Sequence, residues 1–142
     1  MSVIGADTVK GYLNATLSRL DFAYTWENGF ASITVGIGVR RWKTAILCLD
    51  DRLVLYAAYP GRISHDGKAK MLEFLNTINA NSACGGYFLL EAAKGLIPVC
   101  RCDVLIPDEY SIPECIENGL KFITAEIYSK WEKLHEAMRQ IN

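Results

Sequence analysis

Glu73-Phe74-Leu75-Asn76-Thr77-Ile78-Asn79 lies in the middle of a run, Arg52 to Met138, that specifies most of the architecture. The run reads as strand, helix, two strands, long helix. Arg52 to Tyr59 is a strand that Pro60-Gly61 ends. Ser64 is a fair N-cap for a helix burying Met71, Leu72, Leu75 and Ile78. Asparagine, serine and glycine between Asn79 and Gly86 break that helix. Tyr87 to Glu91 and Ile97 to Ile106 form a hairpin around Lys94-Gly95, and Pro107 stops its second strand. Ser111-Ile112-Pro113-Glu114 reads as a capping box. Ile112, Ile116, Leu120, Ile123, Ile127, Trp131, Leu134 and Met138 then recur at steps of four and three. That spacing predicts one continuous apolar stripe on a helix of about seven turns, at ~3.6 residues per turn.

Upstream of this run, Val9, Tyr12, Leu13, Leu17 and Leu20 follow helical spacing behind Asp7, a candidate cap; Gly11 weakens that helix. From Phe22 the period changes to two. Phe22, Tyr24 and Trp26 alternate with smaller or polar residues up to Asn28-Gly29, a strong hairpin signal because a type I′ turn needs positive φ at both central positions. The return strand carries Ile33, Val35, Ile37 and Val39, with a bulge or bend expected at Gly36 and Gly38. Lys43 to Leu49 and Arg52 to Tyr59 are apolar on both faces, the pattern of central strands covered on both sides. Strands in runs between helices predict an α+β protein with a largely antiparallel sheet.

The chain has 142 residues, suiting one domain over 1–142, and is 51% hydrophobic and 22% charged. Fifteen basic and sixteen acidic residues give a net charge of −1, which argues against nucleic acid as the main ligand. No apolar run approaches the ~18 residues of a membrane span, and no signal peptide is visible. Five cysteines (Cys48, Cys84, Cys100, Cys102 and Cys115) without paired spacing fit free thiols in a cytoplasmic protein.

The second half resembles the YbjN family, labelled a candidate bacterial sensory transduction regulator. The resemblance is carried by Leu53-Val54-Leu55-Tyr56 entering Tyr59-Pro60, by Glu73 to Asn79, by Gly86-Tyr87-Phe88-Leu89-Leu90, by Val99-Cys100-Arg101-Cys102-Asp103 and by the long last helix. It implies a type III secretion chaperone-like fold, an antiparallel sheet of about five or six strands packed with three helices. It also implies a non-enzymatic, chaperone-like or regulatory module that binds a protein client or partner and forms a homodimer. It brings no catalytic motif and no cofactor, and gives the Cys100-Arg101-Cys102 strand no role.

Few residues invite a chemical reading. Cys100 and Cys102 share a strand face about 7 Å apart, at ~3.3 Å per residue, at or beyond the reach of a disulfide. Two thiolates could start a zinc site, but His65 and His135 show no ligand spacing toward them. Cys84, before Gly85-Gly86, would need a base to act as a nucleophile, and a helix separates it from His65. A thiol-dependent enzyme, redox or metal protein using Cys84 or Cys100 and Cys102 is therefore the alternative, beside a small-ligand sensor with a pocket between helix and sheet. Gly36-Ile37-Gly38 lacks the third glycine and following helix of a phosphate loop. Asp50-Asp51, Asp108-Glu109 and Glu114-Glu117 are explained by turn, loop and helix start. The candidate partner-binding residues are Trp42, at a strand start, as an exposed anchor, Arg101 and Asp103 as a polar contact or a solvent-facing strand edge, and Trp131 to Met138, turns that either pack across the sheet and close the core, with Trp131 inside it, or overhang the domain to meet a partner.

Overall fold

The computed structural model describes residues 4–81 and 86–142. Helix α1 (Ala6–Arg19) starts at Gly5; Asp7 does not cap it but lies in its first turn, where a carboxylate favours the helix dipole. Strands β1 (Tyr24–Glu27) and β2 (Phe30–Ile37) are joined by Asn28 at φ 53° and Gly29 at φ 85°, the two positive values the hairpin requires. Strand β3 (Arg40–Cys48) follows a tight turn at Gly38 and Val39, and β4 (Arg52–Ala58) follows Asp50-Asp51. Helix α2 (Lys68–Ala80), strands β5 (Gly86–Ala92) and β6 (Gly95–Leu105), and helices α3 (Ile112–Ser129) and α4 (Trp131–Ile141) complete the order.

The six strands form one antiparallel sheet in the order β1-β2-β3-β4-β6-β5. Burial alternates along them with a period of two. Ala31, Ile33, Val35, Trp42, Ile46, Cys48, Leu53, Leu55, Ala57, Cys100 and Cys102 join Leu13, Leu17, Met71, Leu75, Ile116, Ile123 and Leu134 in a single core on the helical side. Leu72, expected inside with Met71, is instead exposed. The expectation that β3 and β4 are covered on both faces also fails: Ala45, Leu47, Tyr56 and Ala58 are only half-buried, because the helices cover one face.

Two glycines mark close approaches. At Gly119 an added Cβ would lie 3.1 Å from both Leu55 Cδ1 and Val104 Cγ2, so a bare backbone lets α3 settle onto β4 and β6. At Gly36 a Cβ would come within 2.7 Å of Arg41 Cδ; rather than a bulge, Gly36 is the bed on which the Arg41 side chain lies.

Three local readings are corrected. The cap before α3 is Asp108, whose Oδ1 accepts from Ser111 N–H at 2.9 Å and from Ser111 Oγ at 2.8 Å; Ser111 makes no side-chain cap. Ser64 precedes a short 3₁₀ turn, His65–Gly67, rather than capping α2 directly. The last helix is two helices. At the break the Glu126 carbonyl accepts from Lys130 N–H at 3.2 Å, from Ser129 Oγ at 2.8 Å and from the Tyr87 hydroxyl at 3.3 Å. Side-chain donors competing for one carbonyl weaken the helical ladder there; Lys130 sits at φ −97° and ψ 0°, and α4 begins at Trp131. Among the described residues four helices, not three, pack with the sheet.

The contrast between the helical glycines gives opposite expectations for stability. Gly11 is exposed, with nothing within 4 Å of an added Cβ. Gly11→Ala should raise the unfolding free energy by about 0.5–1 kcal/mol through helix propensity. Gly119→Leu should lower it by at least about 1–3 kcal/mol by overpacking α3 against Leu55 and Val104. Urea denaturation of both variants checks the pair; a neutral Gly119→Leu would mean that α3 does not sit this close.

Candidate functional site

The face of the sheet turned away from the helices is built by strand register. One row runs Ser32, Ala45, Tyr56, Arg101, Gly86 and the next Thr34, Lys43, Ala58, Val99, Phe88. Phe30, Leu47, Val54 and Asp103 form a third. Phe30, Tyr56 and Phe88 make an edge-to-face file: ring centroids are 5.9 Å apart for Phe30–Tyr56 and 6.2 Å for Tyr56–Phe88. With Ala45, Ala58, Leu90 and Val99 they line an apolar depression of about 480 Å³. Leu90 is 49% exposed and Leu105, farther along the same face, 70%. Val54 and Val99 are buried yet stand apart from the helical core, beneath their neighbours on this face.

Charges flank the file. On one side Arg101 donates through Nε and Nη2 to the two oxygens of Asp103, at 2.8 and 3.1 Å, while its guanidinium lies 5.7 Å over the Tyr56 ring. Arg52 approaches Asp103 at 3.7 Å and pairs with Asp51 at 3.1 Å. The hydrogen bonds from Arg101 hold the Asp103 carboxyl below its ordinary range, against a smaller opposing effect of burial. On the other side Arg41, Lys43 and Arg62 line a cleft of about 670 Å³ walled by Trp42, Ala58, Tyr59, Pro60 and Ile97. Arg41 Nη1 donates to the Gly38 and Arg40 carbonyls at 2.7 and 2.9 Å. Among the described residues, none of these three cations makes an ion pair.

The sequence-predicted residues divide between the two sides of the sheet. Arg101 and Asp103 are on the open face, but on an interior strand, β6, so they do not guard an edge. Trp42 is only 2% exposed and is no surface anchor. It packs at 5.5 Å against Trp131, which stands 4.8 Å from Tyr59; the Tyr59 hydroxyl shares a hydrogen bond of 3.0 Å with His135 Nδ1. Arg40 stacks over Tyr128 and Trp131, at 5.0 and 5.6 Å, and pairs with Glu132. This aromatic cluster fastens α4 to the end of β4. Met138 is 7% exposed and faces Gly61, so these turns fold back onto the domain rather than overhanging it. Asn79, the last residue of the string that opened the reading, clamps the start of β5: its amide donates to Tyr87 O at 3.0 Å and accepts from Tyr87 N–H at 2.7 Å.

Cys48, Cys100 and Cys102 are buried on the helical side; Cys84 lies outside the described residues. Burial pushes the Cys48 thiol up to about 11, and burial followed by the nearby Glu114 and Asp108 raises Cys115. Among the described residues no group of three or more His, Cys, Asp or Glu could hold a metal ion. Among the described residues no helix is long and apolar enough to cross a membrane.

Phe30, Phe88, Leu90, Lys43 and Arg62 were missed as site residues. Their signal was present: Ser32, Thr34 and Lys43 put polar side chains on the same parity as Ala45, Tyr56 and Ala58, which marks a face that meets water.

An antiparallel six-stranded sheet with helices on one face and a mixed apolar and cationic surface on the other defines the class. No protein-family model matches the chain, and no curated protein matches it. Among solved structures it is similar to YbjN from E. coli, described as a candidate transcription regulator, with a TM-score of 0.62 at 16% sequence identity, over 94% of this chain and 97% of that one. The fold is thus YbjN-like.

Two outcomes follow for the charged and thiol groups. A carboxyl held low in the folded state contributes stability that is full above the ordinary carboxylate range and lost as pH falls through its folded value. Asp103→Asn should therefore narrow the gap between denaturation midpoints at pH 7 and pH 3; an unchanged gap would mean that the Arg101 contact is unimportant. In Cys84→Ser protein at neutral pH, Cys100 and Cys102 should react with a disulfide reagent only after unfolding. Fast native reaction of either would revive a thiol chemistry.

Proposed function

We propose that this protein is a non-catalytic, regulatory or chaperone-like module that docks a protein partner on its open sheet face. The observation that supports this reading is the Phe30–Tyr56–Phe88 file with Leu90 and Val99, an apolar patch with charged flanks on a face that, among the described residues, no helix covers. Contiguous exposed apolar surface rimmed by polar groups is the usual mark of a protein interface, and aromatic and arginine side chains supply its anchors. The YbjN-like fold is consistent with a regulatory role, because the E. coli protein is described as a candidate regulator. Shielding a client segment on this face would need no nucleotide. A homodimer formed through the outer strands β1 or β5 leaves the face free, and light scattering of the purified protein reads that state.

Phe88→Ser combined with Leu90→Ser removes apolar contact from half-exposed positions, so the fold should survive, with near-UV circular dichroism unchanged. Pull-downs from the native organism's lysate should then lose the partner that the wild type retains, by about tenfold or more, equivalent to ~1.4 kcal/mol. Equal recovery by a folded double variant would place the interface elsewhere.

A further inference from the structure

We infer that the segment this face takes is an acidic amphipathic peptide, its apolar side chains on the Phe30–Tyr56–Phe88 file and its carboxylates in the cleft of Arg41, Lys43 and Arg62. The inference rests on the protein-binding reading and adds the chemistry of the occupant. The depression and the cleft are one surface, because Lys43 and Ala58 line both. The chain as a whole is slightly acidic, at −1, yet this face carries more basic than acidic side chains. Arg41, Lys43, Arg52 and Arg101 stand on this face with Arg62 at its rim, while Glu27 and Asp103 are the carboxylates on its strands. Asp103 is already engaged by Arg101 and Arg52, whereas Arg41, Lys43 and Arg62 have no carboxylate among the described residues. Lys43 and Phe88 lie in one cross-sheet row three strands apart. That is about 14 Å at ~4.8 Å per strand, or four to five residues of extended peptide at ~3.3 Å each.

A second copy of the chain fits this face poorly, since a face-to-face pair would set cation against cation. Single-stranded nucleic acid also fits poorly: stacking needs free ring faces, but Tyr56 is covered by Arg101 and meets Phe30 and Phe88 edge to face. An acidic amphipathic segment satisfies both parts of the surface.

The test is fluorescence anisotropy at low salt with three labelled probes. One is an eight-residue peptide of glutamates followed by leucine and phenylalanine, the second its lysine-for-glutamate counterpart, and the third an oligouridylate. The wild type should bind the acidic peptide about tenfold or more tightly than the lysine peptide, with affinity falling as salt rises. Lys43→Glu with Arg62→Glu, both at exposed positions, should invert that preference, and Phe88→Ser with Leu90→Ser should abolish binding of either peptide. Equal binding of the two peptides, unaltered by charge reversal, overturns the inference while the docking face stands. Tighter binding of the oligouridylate overturns it in favour of nucleic acid. A dimer by light scattering that binds neither peptide and that Phe88→Ser with Leu90→Ser dissociates overturns it in favour of a second copy. Binding of neither peptide, with pull-downs also unaffected by the face variant, overturns the docking reading itself.

Discussion

A sheet of six strands is about 29 Å wide at ~4.8 Å per strand, and a packed helix covers about 10 Å of that width. Covering one face therefore takes about three helices side by side. The chain supplies α1, α3 and the α2–α4 pair, all on the same side, and among the described residues no helix is left for the other. The open face follows from this constraint. So do the approach of α3 at Gly119, which lets Leu55 and Val104 close the covered side, and the concentration of Trp42, Tyr59 and Trp131 where α4 must be held down.

The open face interleaves aromatic and charged side chains. Its aromatic rings shield one another's edges, and Arg101 lies over Tyr56, so the apolar area offered to water is broken by charge. Arg41 tucks over Gly36, and Lys43 stands beside Ala58. Such a surface can stay hydrated alone and still have apolar area to bury when a complementary segment arrives.

Much of the architecture was legible in the sequence because local chemistry dictates it. Asn28-Gly29 leaves few alternatives to a hairpin, and the Ile112 to Ile127 stripe few alternatives to a buried helix face. What was not legible depended on partners far along the chain. The break at Lys130 has no glycine or proline to announce it; it arises where Tyr87, Ser129 and Lys130 converge on the Glu126 carbonyl. Trp42, between Arg41 and Lys43, looks exposed in sequence, but strand parity turns it inward and both neighbours outward. The candidate site was the least legible part. Arg101 and Asp103 stand out in the sequence, but the apolar parity of β3 and β4 reads there as a second buried face, and the placing of Arg41, Lys43, Arg52 and Arg101 on one face appears only once the strands are laid in order.

That order has a further consequence. Strands β1 to β4 form one meander of local pairings, and β5 with β6 a separate hairpin; the two ribbons are hydrogen-bonded along β4 and β6, where Tyr56 faces Arg101. Phe30 and Tyr56 belong to the first ribbon and Phe88 to the second. Neither half alone carries the aromatic file. The aromatic file spans the seam, so any opening of the β4–β6 pairing parts Phe88 from Tyr56.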